Sequence, residues 1–201
     1  CFLFIINGAN LIDGYNGLLA IHFIIINFII LGVNLTNQNF NISIILITQI
    51  IIMVSFLFFN FPKAKIFLGD AGSYLCGSLI TINIIRTHQL NPEVSPFFYT
   101  SILFYLFYEV FFSFIRKSVG KKSPLNPDSH HLHMLLYNFL SKSKKLANCN
   151  YKTAFLINLV FLILIIPVIY FYDNGIVCRY YFFFLIFIYT CSYNLLSKLK
   201  K

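Results

Sequence analysis

The sequence is poor in charged residues and poorest in acids. Only 10% of its 201 residues are Asp, Glu, Lys or Arg, and only six of these are acidic. Hydrophobic residues make up 59% of the chain, and its mean hydropathy is +0.79. A soluble domain of this length does not need so much apolar surface, so the composition predicts an integral membrane protein. Long apolar runs, without short segments of alternating polarity, favour helices over a barrel.

Paired cysteines are also missing. The five cysteines show no paired spacing, and three lie in apolar runs, so we interpret them as small apolar residues rather than a disulfide or zinc framework. They are Cys1, Cys76, Cys149, Cys178 and Cys191. The chain starts at Cys1 inside an apolar run, without Met or a basic segment before it. We therefore expect it to begin within a membrane helix, as an N-terminally truncated part of a longer protein.

Six apolar stretches follow the end of a first helix, and most approach the roughly 20 residues that a helix needs to cross a membrane. That first helix ends near Ile6. The six stretches run approximately over Leu18–Val33, Ile42–Phe59, Gly72–Ile85, Phe97–Ile115, Thr153–Tyr172 and Ile176–Leu196. The predicted fold is an all-α polytopic membrane protein with residues 1–201 as one membrane domain. Residues 116–152 form its only sizeable soluble part, predicted as a basic cytoplasmic loop that contains histidines.

The basic residues indicate the orientation if each stretch crosses the membrane once. Of the fifteen Lys and Arg residues, only Arg86 and Arg179 fall on the side that receives the short loops. The opposite side, which carries all the others, is therefore predicted to be cytoplasmic. Three unusual polar stretches then share this cytoplasmic face. The net charge of +9 is explained by topology and does not indicate nucleic-acid binding.

The first polar stretch is Asn7-Gly-Ala-Asn-Leu-Ile-Asp-Gly-Tyr-Asn-Gly17. In a helix, Asn10 shares one face with Asn7 and also with Asp13. Amide and carboxylate oxygens together suit a hard cation such as Mg²⁺, or a sugar hydroxyl. The pairs Asp13-Gly14 and Asn16-Gly17 are also turn signals, so a plain loop with a helix cap is an equally good interpretation of this stretch alone.

The second polar stretch, Lys65-Ile-Phe-Leu-Gly-Asp-Ala-Gly-Ser73, leads into the third apolar stretch. Asp70 could be the N-cap of that helix. A helix start also has free N–H groups and a positive dipole end, which suit a phosphate. A carboxylate placed there would hold a divalent cation against the phosphate, and Lys63 and Lys65 add positive charge.

The third polar stretch is Pro124-Leu-Asn-Pro-Asp-Ser-His-His-Leu-His133. Its three histidines could bind zinc, transfer protons or donate to a phosphate. Zinc is the weaker interpretation, because no cysteine or second histidine cluster lies at ligand spacing. Imidazoles near a diphosphate fit better, and a solvated basic surface is the alternative.

Together and in this order, the three stretches resemble the polyprenyl-phosphate N-acetylhexosamine-1-phosphate transferases (glycosyltransferase family 4). The most specific pieces are Asn7-x-x-Asn-x-x-Asp-Gly-x-x-Gly17, Phe67-Leu-Gly-Asp-Ala-Gly-Ser73 and Pro127-Asp-x-x-His-Leu-His133. The resemblance implies transfer of a sugar-1-phosphate from a UDP-sugar to undecaprenyl or another polyprenyl phosphate, with release of UMP. This reaction would serve cell-envelope polysaccharide or peptidoglycan synthesis at a bacterial inner membrane. The form of the third piece favours an N-acetylglucosamine-1-phosphate donor, and phospho-N-acetylmuramoyl-pentapeptide transferase is the alternative.

Carried over residue by residue, the resemblance also implies roles. The catalytic residues would be Asp13, Asp70, His131 and His133. Mg²⁺, or alternatively Mn²⁺, would be bound by Asn10 and Asp70. The substrates would be contacted by Asn7, Lys65, His130 and Phe67, the last by stacking on uracil. The implied partners are a UDP-N-acetylhexosamine, polyprenyl phosphate and the membrane, with no nucleic acid, and a homodimer is left open.

Two departures from the family pattern shape the alternatives. Met134 stands where the family usually has a further histidine, and no Asp-Asp pair occurs in the chain. We therefore expect these 201 residues alone to be inactive, and a non-catalytic membrane subunit is one rival interpretation. A transporter is another, because His22, Asn27 and Glu109 lie inside apparent spans. The concentration of polar residues at one edge of the membrane disfavours a transporter.

Overall fold

The computed structural model describes residues 2–121, 123, 129–142 and 148–200, and throughout these ranges the regular structure is helical. The helices are α1 (Phe2–Ile12), α2 (Leu18–Thr36), α3 (Phe40–Asn60), α4 (Gly69–Leu90), α5 (Pro96–Ile102), α6 (Phe104–Val119), α7 (Leu132–Ser141), α8 (Cys149–Tyr170) and α9 (Gly175–Lys200). Each of the six predicted apolar stretches falls on one of these helices or on one adjacent pair. The protein is an all-α polytopic membrane protein, as the sequence predicts.

Among the described residues, fewer helices are long and apolar enough to cross a membrane than the six stretches that the sequence predicts. In the described residues, α2, α3, α8 and α9 are each long and apolar enough to cross a membrane. The consecutive helices α5 and α6 add a fifth span if they are taken as one bent segment. Helix α4 has 22 residues, but polar residues such as Asp70, Asn83 and Arg86 lower its hydropathy.

A bend of 72° separates α5 from α6 within the stretch predicted as one span over Phe97–Ile115. Helix α5 begins with Pro96 in its first turn, and Ser95 caps it by accepting a hydrogen bond from the backbone N–H of Phe97 (3.2 Å). The bend follows at Leu103, where the sequence has neither Pro nor Gly. Because those residues are the usual signals of a kink, the pattern alone predicts a continuous helix.

Helix α1 packs closely against both α4 and α6. A Cβ atom at Gly8 would overlap the backbone of Leu106, and one at Gly77 would lie 2.8 Å from the Cα atom of Ile6. Only glycine permits backbones to approach this closely. The first half of the first polar stretch, Asn7 to Ile12, is therefore helical and fixed between two other helices, rather than part of a loop.

Residues 116–152 contain more regular structure than the predicted loop. They include the end of α6, the whole of α7 and the start of α8. Helix α7 packs on α8 and α9 through an apolar side that includes the buried Leu135. Its ten residues are too few for a span, which is why a search for apolar runs does not find it. The motif residues Pro127 and Asp128 lie outside the described residues.

The ends of α2 and α4 farthest from Asp70 are joined by asparagines. The side chain of Asn34 is fully buried, and its Nδ2 atom donates to Oγ1 of Thr87 (2.9 Å). Asn91 in turn donates to Oδ1 of Asn34 (3.2 Å). Cavities of about 500 Å³ and 660 Å³ lie at this end of the helices, beside Arg86 and Arg179 respectively. They lie far along the helices from the polar stretches that the sequence singles out.

Candidate active site

The first two polar stretches meet where the second half of α1 lies against the first turn of α4. Nδ2 of Asn10 donates to Oδ1 of Asp70 (2.9 Å) and to Oγ of Ser73 (2.9 Å). The Ser73 hydroxyl donates to the backbone carbonyl of Asp70 (3.0 Å). One asparagine amide thus fixes the carboxylate at the start of α4, across 60 residues of sequence.

Asp13 brings a second carboxylate close to Asp70. It follows the last turn of α1, where its backbone N–H donates to the carbonyl of Asn10 (3.3 Å). Burial and, to a smaller extent, the negative charge of Asp70 together raise the pKa of Asp13 to about 6. We call Asn10, Asp13, Asp70 and Ser73 the carboxylate cluster. Its two acids repel one another, so the cluster favours a positively charged ligand.

The composition of the carboxylate cluster fits a hard divalent cation, although it does not form a complete metal cage. Among the described residues, no group of three or more His, Cys, Asp or Glu side chains is placed to hold a metal. Mg²⁺ often takes only one or two protein carboxylates and completes its shell with water and substrate phosphates. In the observed conformation of Asn10, its Nδ2 atom, which is a donor and not a metal ligand, faces Asp70. The amide must rotate before Asn10 and Asp70 can share a cation.

The turn after Asp13 is fastened to two distant helices. The backbone N–H of Gly17 donates to Oδ1 of Asn60 at the end of α3 (2.6 Å), and that of Asn16 donates to Oδ1 of Asn150 in α8 (2.7 Å). Gly17 has a φ of 79°, and a Cβ atom there would lie 2.8 Å from the Phe61 ring. The second half of the first polar stretch is therefore structural and holds Asp13 in place.

The loop between α3 and α4 leaves two predicted substrate contacts accessible. Phe67 is 74% exposed and Lys65 is exposed. The loop backbone is fixed by a hydrogen bond from Nδ2 of Asn60 to the carbonyl of Ile66 (2.8 Å). Phe67 thus offers an open aromatic face three residues before Asp70. Asn7 is also exposed, but its side-chain amide donates within its own helix, to the carbonyl of Leu3 (2.7 Å), and does not join Asp70.

The third polar stretch is held by Glu109, a buried acid in α6 that is only 1% exposed. Its Oε1 atom lies 3.1 Å from Nδ1 of His131 and accepts from the backbone N–H of Leu132 (3.1 Å). Its Oε2 atom accepts from the hydroxyl of Tyr189 in α9 (2.7 Å). We call Glu109, His131, His133 and Tyr189 the histidine cluster.

His133 is fully buried, unlike the exposed His130. Its ring stacks on that of His131, with centroids 5.5 Å apart and planes 7° apart. Burial is the largest of the effects that together lower the pKa of His133 to about 4; Glu109 opposes this shift and His131 adds to it. His133 is therefore neutral at pH 7. Its Nε2 atom has no hydrogen-bond partner within the described part of the chain.

Tyr15 connects the carboxylate and histidine clusters. Its ring lies against that of His133 (centroids 5.5 Å apart) and against that of Tyr137 (5.4 Å). Burial raises the pKa of Tyr15 to about 12. Because Asp13 precedes Tyr15 by only two residues, the same short turn borders both clusters. The structure thus brings together Asn10, Asp13 and Asp70, and places His131 and His133 next to them across Tyr15.

Sequence reasoning missed several of the residues that build these clusters. Asn60 and Asn150 carry no local signal, because their partners lie 43 and 134 residues away. Glu109 has a signal, since a lone acid in an apolar stretch calls for a function, but the sequence does not reveal its partners. Tyr15 lies inside the first motif, but the glycines and asparagines around it indicate only a turn and do not predict its contact with His133.

Comparison with known proteins points to one family. Residues 1–88 match the family model described as Glycosyl transferase family 4. This range contains every residue of the carboxylate cluster and ends before the histidine cluster. No solved structure matches the chain significantly.

Similar curated proteins carry two kinds of name. The chain is 30% identical to the undecaprenyl-phosphate alpha-N-acetylglucosaminyl 1-phosphate transferase of Thermotoga maritima, over 72% of this chain and 44% of that protein. It is 33% identical to a probable undecaprenyl-phosphate N-acetylglucosaminyl 1-phosphate transferase of Bacillus subtilis, over 67% and 38%. It is 34% identical to the phospho-N-acetylmuramoyl-pentapeptide-transferase of Wolbachia sp. subsp. Brugia malayi, over 62% of this chain and 40% of that protein. The chain thus spans less than half the length of these relatives.

Proposed function

We propose that this chain, which belongs to glycosyl transferase family 4, is the donor-binding part of a membrane enzyme that transfers a sugar-1-phosphate from a UDP-sugar to a polyprenyl phosphate. The observation that carries the proposal is the contact between Asn10 and Asp70, which unites the first two polar stretches in one cluster. The proposed sugar is N-acetylglucosamine, which two of the relatives have in their names. N-acetylmuramoyl-pentapeptide is the second candidate, favoured by the name of the third.

The proposed reaction exchanges one phosphorus–oxygen bond for another. A phosphate oxygen of the lipid acceptor forms a bond to the sugar-bearing phosphorus of the donor. The bond from that phosphorus to the bridging oxygen breaks, and UMP leaves with this oxygen. Little covalent chemistry is required of the protein, so its task is to position the two phosphates and to stabilise their negative charge.

The carboxylate cluster is proposed to hold the donor diphosphate. Asp70 and, after rotation of its amide, Asn10 would hold Mg²⁺ or Mn²⁺, with Asp13 as the second acid beside them. When bound, the cation neutralises charge on the diphosphate. Phe67 is accessible enough to stack on uracil, and Lys65 adds positive charge on the same loop.

The histidine cluster is proposed to face the phosphates from the other side of the turn that holds Tyr15. His133 is neutral at pH 7, because its pKa is about 4, so it can donate or accept a hydrogen bond without adding charge. His130 is exposed and would approach the donor from solvent. Because most basic residues lie on the side of these clusters, we propose that this face is cytoplasmic.

A cavity next to the histidine cluster supports a lipid acceptor. It has a volume of about 320 Å³ and is enclosed by α6, α7, α8 and α9. Its lining is almost wholly apolar, with Leu156, Val160 and Leu164 along α8. Leu132 and Tyr189, which contact Glu109, also border the cavity. A prenyl chain in this cavity would bring its phosphate near the histidines.

Release of UMP tests the proposal. Membranes that contain the native protein are incubated with polyprenyl phosphate and either UDP-N-acetylglucosamine or UDP-N-acetylmuramoyl-pentapeptide, with Mg²⁺ or with EDTA. We expect Mg²⁺-dependent UMP release with the first donor, and its loss in Asp70→Asn. The matched control is Asp173→Asn in the turn between α8 and α9, at the other end of these helices. Release that is equal in Asp70→Asn and wild type would contradict the proposal, and release with only the second donor would select the second candidate.

A further inference from the structure

We propose that Glu109 is a positioning residue, which selects the tautomer of His131 and fixes the start of α7 for the transferase function proposed above. The inference rests on that function for its kinetic consequences, but its structural basis is independent. Among the described residues, the hydrogen-bond partners of Glu109 are His131, Leu132 and Tyr189, and none belongs to the carboxylate cluster. Because His131 is the one predicted catalytic residue among them, Glu109 acts through His131.

The surroundings of Glu109 explain why a buried acid persists there. A carboxylate removed from water is costly unless hydrogen-bond donors replace the water. The N–H of Leu132 and the hydroxyl of Tyr189 donate to its two oxygens, at 3.1 Å and 2.7 Å. Nδ1 of His131 lies against the first oxygen at 3.1 Å. One side chain in α6 is thus bonded to the start of α7 and to α9.

The contact with His131 does more than hold the loop in place. An ionised carboxylate only accepts hydrogen bonds, so Nδ1 of His131 must carry the proton in this contact. With the proton on Nδ1, Nε2 is the basic nitrogen of the neutral imidazole. The stacked ring of His133, 5.5 Å away, restricts rotation of the His131 ring as well. Glu109 therefore determines both the orientation of this imidazole and which of its nitrogens carries the proton.

The groups that face Glu109 come from three helices. His131 and His133 belong to the start of α7, Tyr189 to α9, and Tyr105 lies one turn before Glu109 in α6. Tyr105 also reaches His133, with 3.5 Å between its hydroxyl and Nδ1. Of these contacts, only the one to His131 fixes a tautomer directly. Leu132 and Tyr189 bond to the same carboxylate, so a change of Glu109 also removes contacts that dock α7 and α9. The effect of lost docking is therefore tested with a separate variant, Tyr189→Phe.

The direct test is ¹⁵N NMR of the histidine side chains in the whole protein. The chain has five histidines, so His131→Asn identifies the signals of His131 by their loss. We expect the Nδ1–H tautomer of His131 in the wild type, and a shift towards the Nε2–H tautomer in Glu109→Ala. An unchanged tautomer in Glu109→Ala would overturn the proposal. This measurement needs no turnover, so its failure is distinct from a failure of the proposed transferase function.

The kinetic test is a double-mutant cycle on UMP release. Loss of a residue that orients a metal-bound histidine typically costs roughly 10- to 100-fold in activity, and we take the same order for His131. We expect Glu109→Ala and His131→Asn each to lower kcat by this order, with little change in the KM of the donor. The double variant should lose no more than His131→Asn alone, because both changes remove one coupled function.

Two controls separate positioning from folding. Tyr189→Phe removes a donor to Oε2 but leaves the contact with His131, so the tautomer should be unchanged. Glu93→Gln alters an exposed acid just beyond the far end of α4, where it accepts from Asn37, and should leave kcat unchanged. Thermal unfolding of each variant reports the fraction that is folded. Additive losses in the double variant, or a loss fully explained by unfolding, would overturn the positioning role.

Discussion

Two carboxylates on different elements form the centre of the candidate site. Asn10 fixes Asp70, and Asp13 lies close enough for the charge of Asp70 to raise its pKa. The pKa of Asp13 is about 6 in the folded protein, whereas an unfolded chain releases this proton near the ordinary value of 3.8. The folded state therefore loses stability as the pH rises through this window, because the acid must ionise in a partly buried position beside Asp70.

A divalent cation should relieve this cost, and its effect should depend on pH. We expect Mg²⁺ to raise the melting temperature of the protein clearly at about pH 7.5, where Asp13 is ionised, and little at about pH 5, because the pKa of this acid is about 6. In Asp13→Asn the difference between the two pH values should largely disappear. Thermal unfolding in Mg²⁺ and in EDTA at each pH measures this shift in melting temperature. An equal shift at both pH values in the wild type would show that Asp13 takes no part in cation binding.

His133 gives a second, opposite pH dependence. Its pKa is about 4 in the folded protein and about 6.5 when unperturbed. The folded state thus binds fewer protons in this window, so stability falls as the pH is lowered from 6.5 towards 4. At about pH 5 the loss would be about 2 kcal/mol for this one group.

The measurement is the melting temperature at about pH 7 and about pH 5, on either side of the unperturbed histidine pKa. The decrease on acidification should be smaller in His133→Gln than in the wild type, since glutamine does not titrate. Asn138→Gln, a control in the same helix that changes no titratable group, should keep the wild-type decrease. Identical decreases in all three proteins would contradict a buried, neutral His133.

At the scale of elements, the position of α1 between α4 and α6 determines where the carboxylate cluster forms. The close approach depends on Gly8 and Gly77, which leave no room for a side chain. Apolar runs predict the helices well, because burial in a membrane and helix formation follow from the same residues. They do not predict the bend at Leu103 or the ten-residue α7, because neither has a local marker.

A pair of glycine substitutions tests this packing. Gly8→Ala should lower stability by roughly 1–3 kcal/mol, because the added methyl group forces α1 away from α6. Gly32→Ala is the matched control: it also lies within a helix, but no atom lies within 4 Å of the added Cβ. Alanine favours the helix by up to about 1 kcal/mol there, so the control should be neutral or stabilising. Equal effects of the two changes on the melting temperature would refute the close packing of α1.

At the scale of the whole molecule, residues distant in sequence hold the motif residues in place at the candidate site. The turn that carries Asp13 and Tyr15 is fastened by Asn60 and Asn150, which belong to α3 and α8. The motifs predict Asn10 and Asp70 as functional residues because polar groups are rare in such a chain. They cannot predict that Glu109 holds His131, because that contact depends on the bend between α5 and α6 and on where α7 docks.

The charge distribution predicts one orientation for the whole molecule. Cysteine introduced in place of Ser118, near the end of α6, should react with an impermeant thiol reagent only after the cell is opened. Cysteine in place of Pro92, in the short loop after α4, should react in intact cells. Both positions are exposed, and both variants are made in a background with Cys191 replaced, because that cysteine is exposed as well. The reverse pattern of labelling would place the carboxylate cluster outside the cell.

The central claim is that the carboxylate cluster binds the diphosphate of the donor together with a divalent cation. Calorimetric titration of the purified protein with UDP, in Mg²⁺ or in EDTA, tests it most directly, because it requires neither the lipid acceptor nor turnover. The account predicts binding that needs Mg²⁺, becomes at least about tenfold weaker in Asp70→Asn, which is about 1.4 kcal/mol or more, and is unchanged in Asp173→Asn. Binding that is equally strong in EDTA, or in Asp70→Asn, would contradict it.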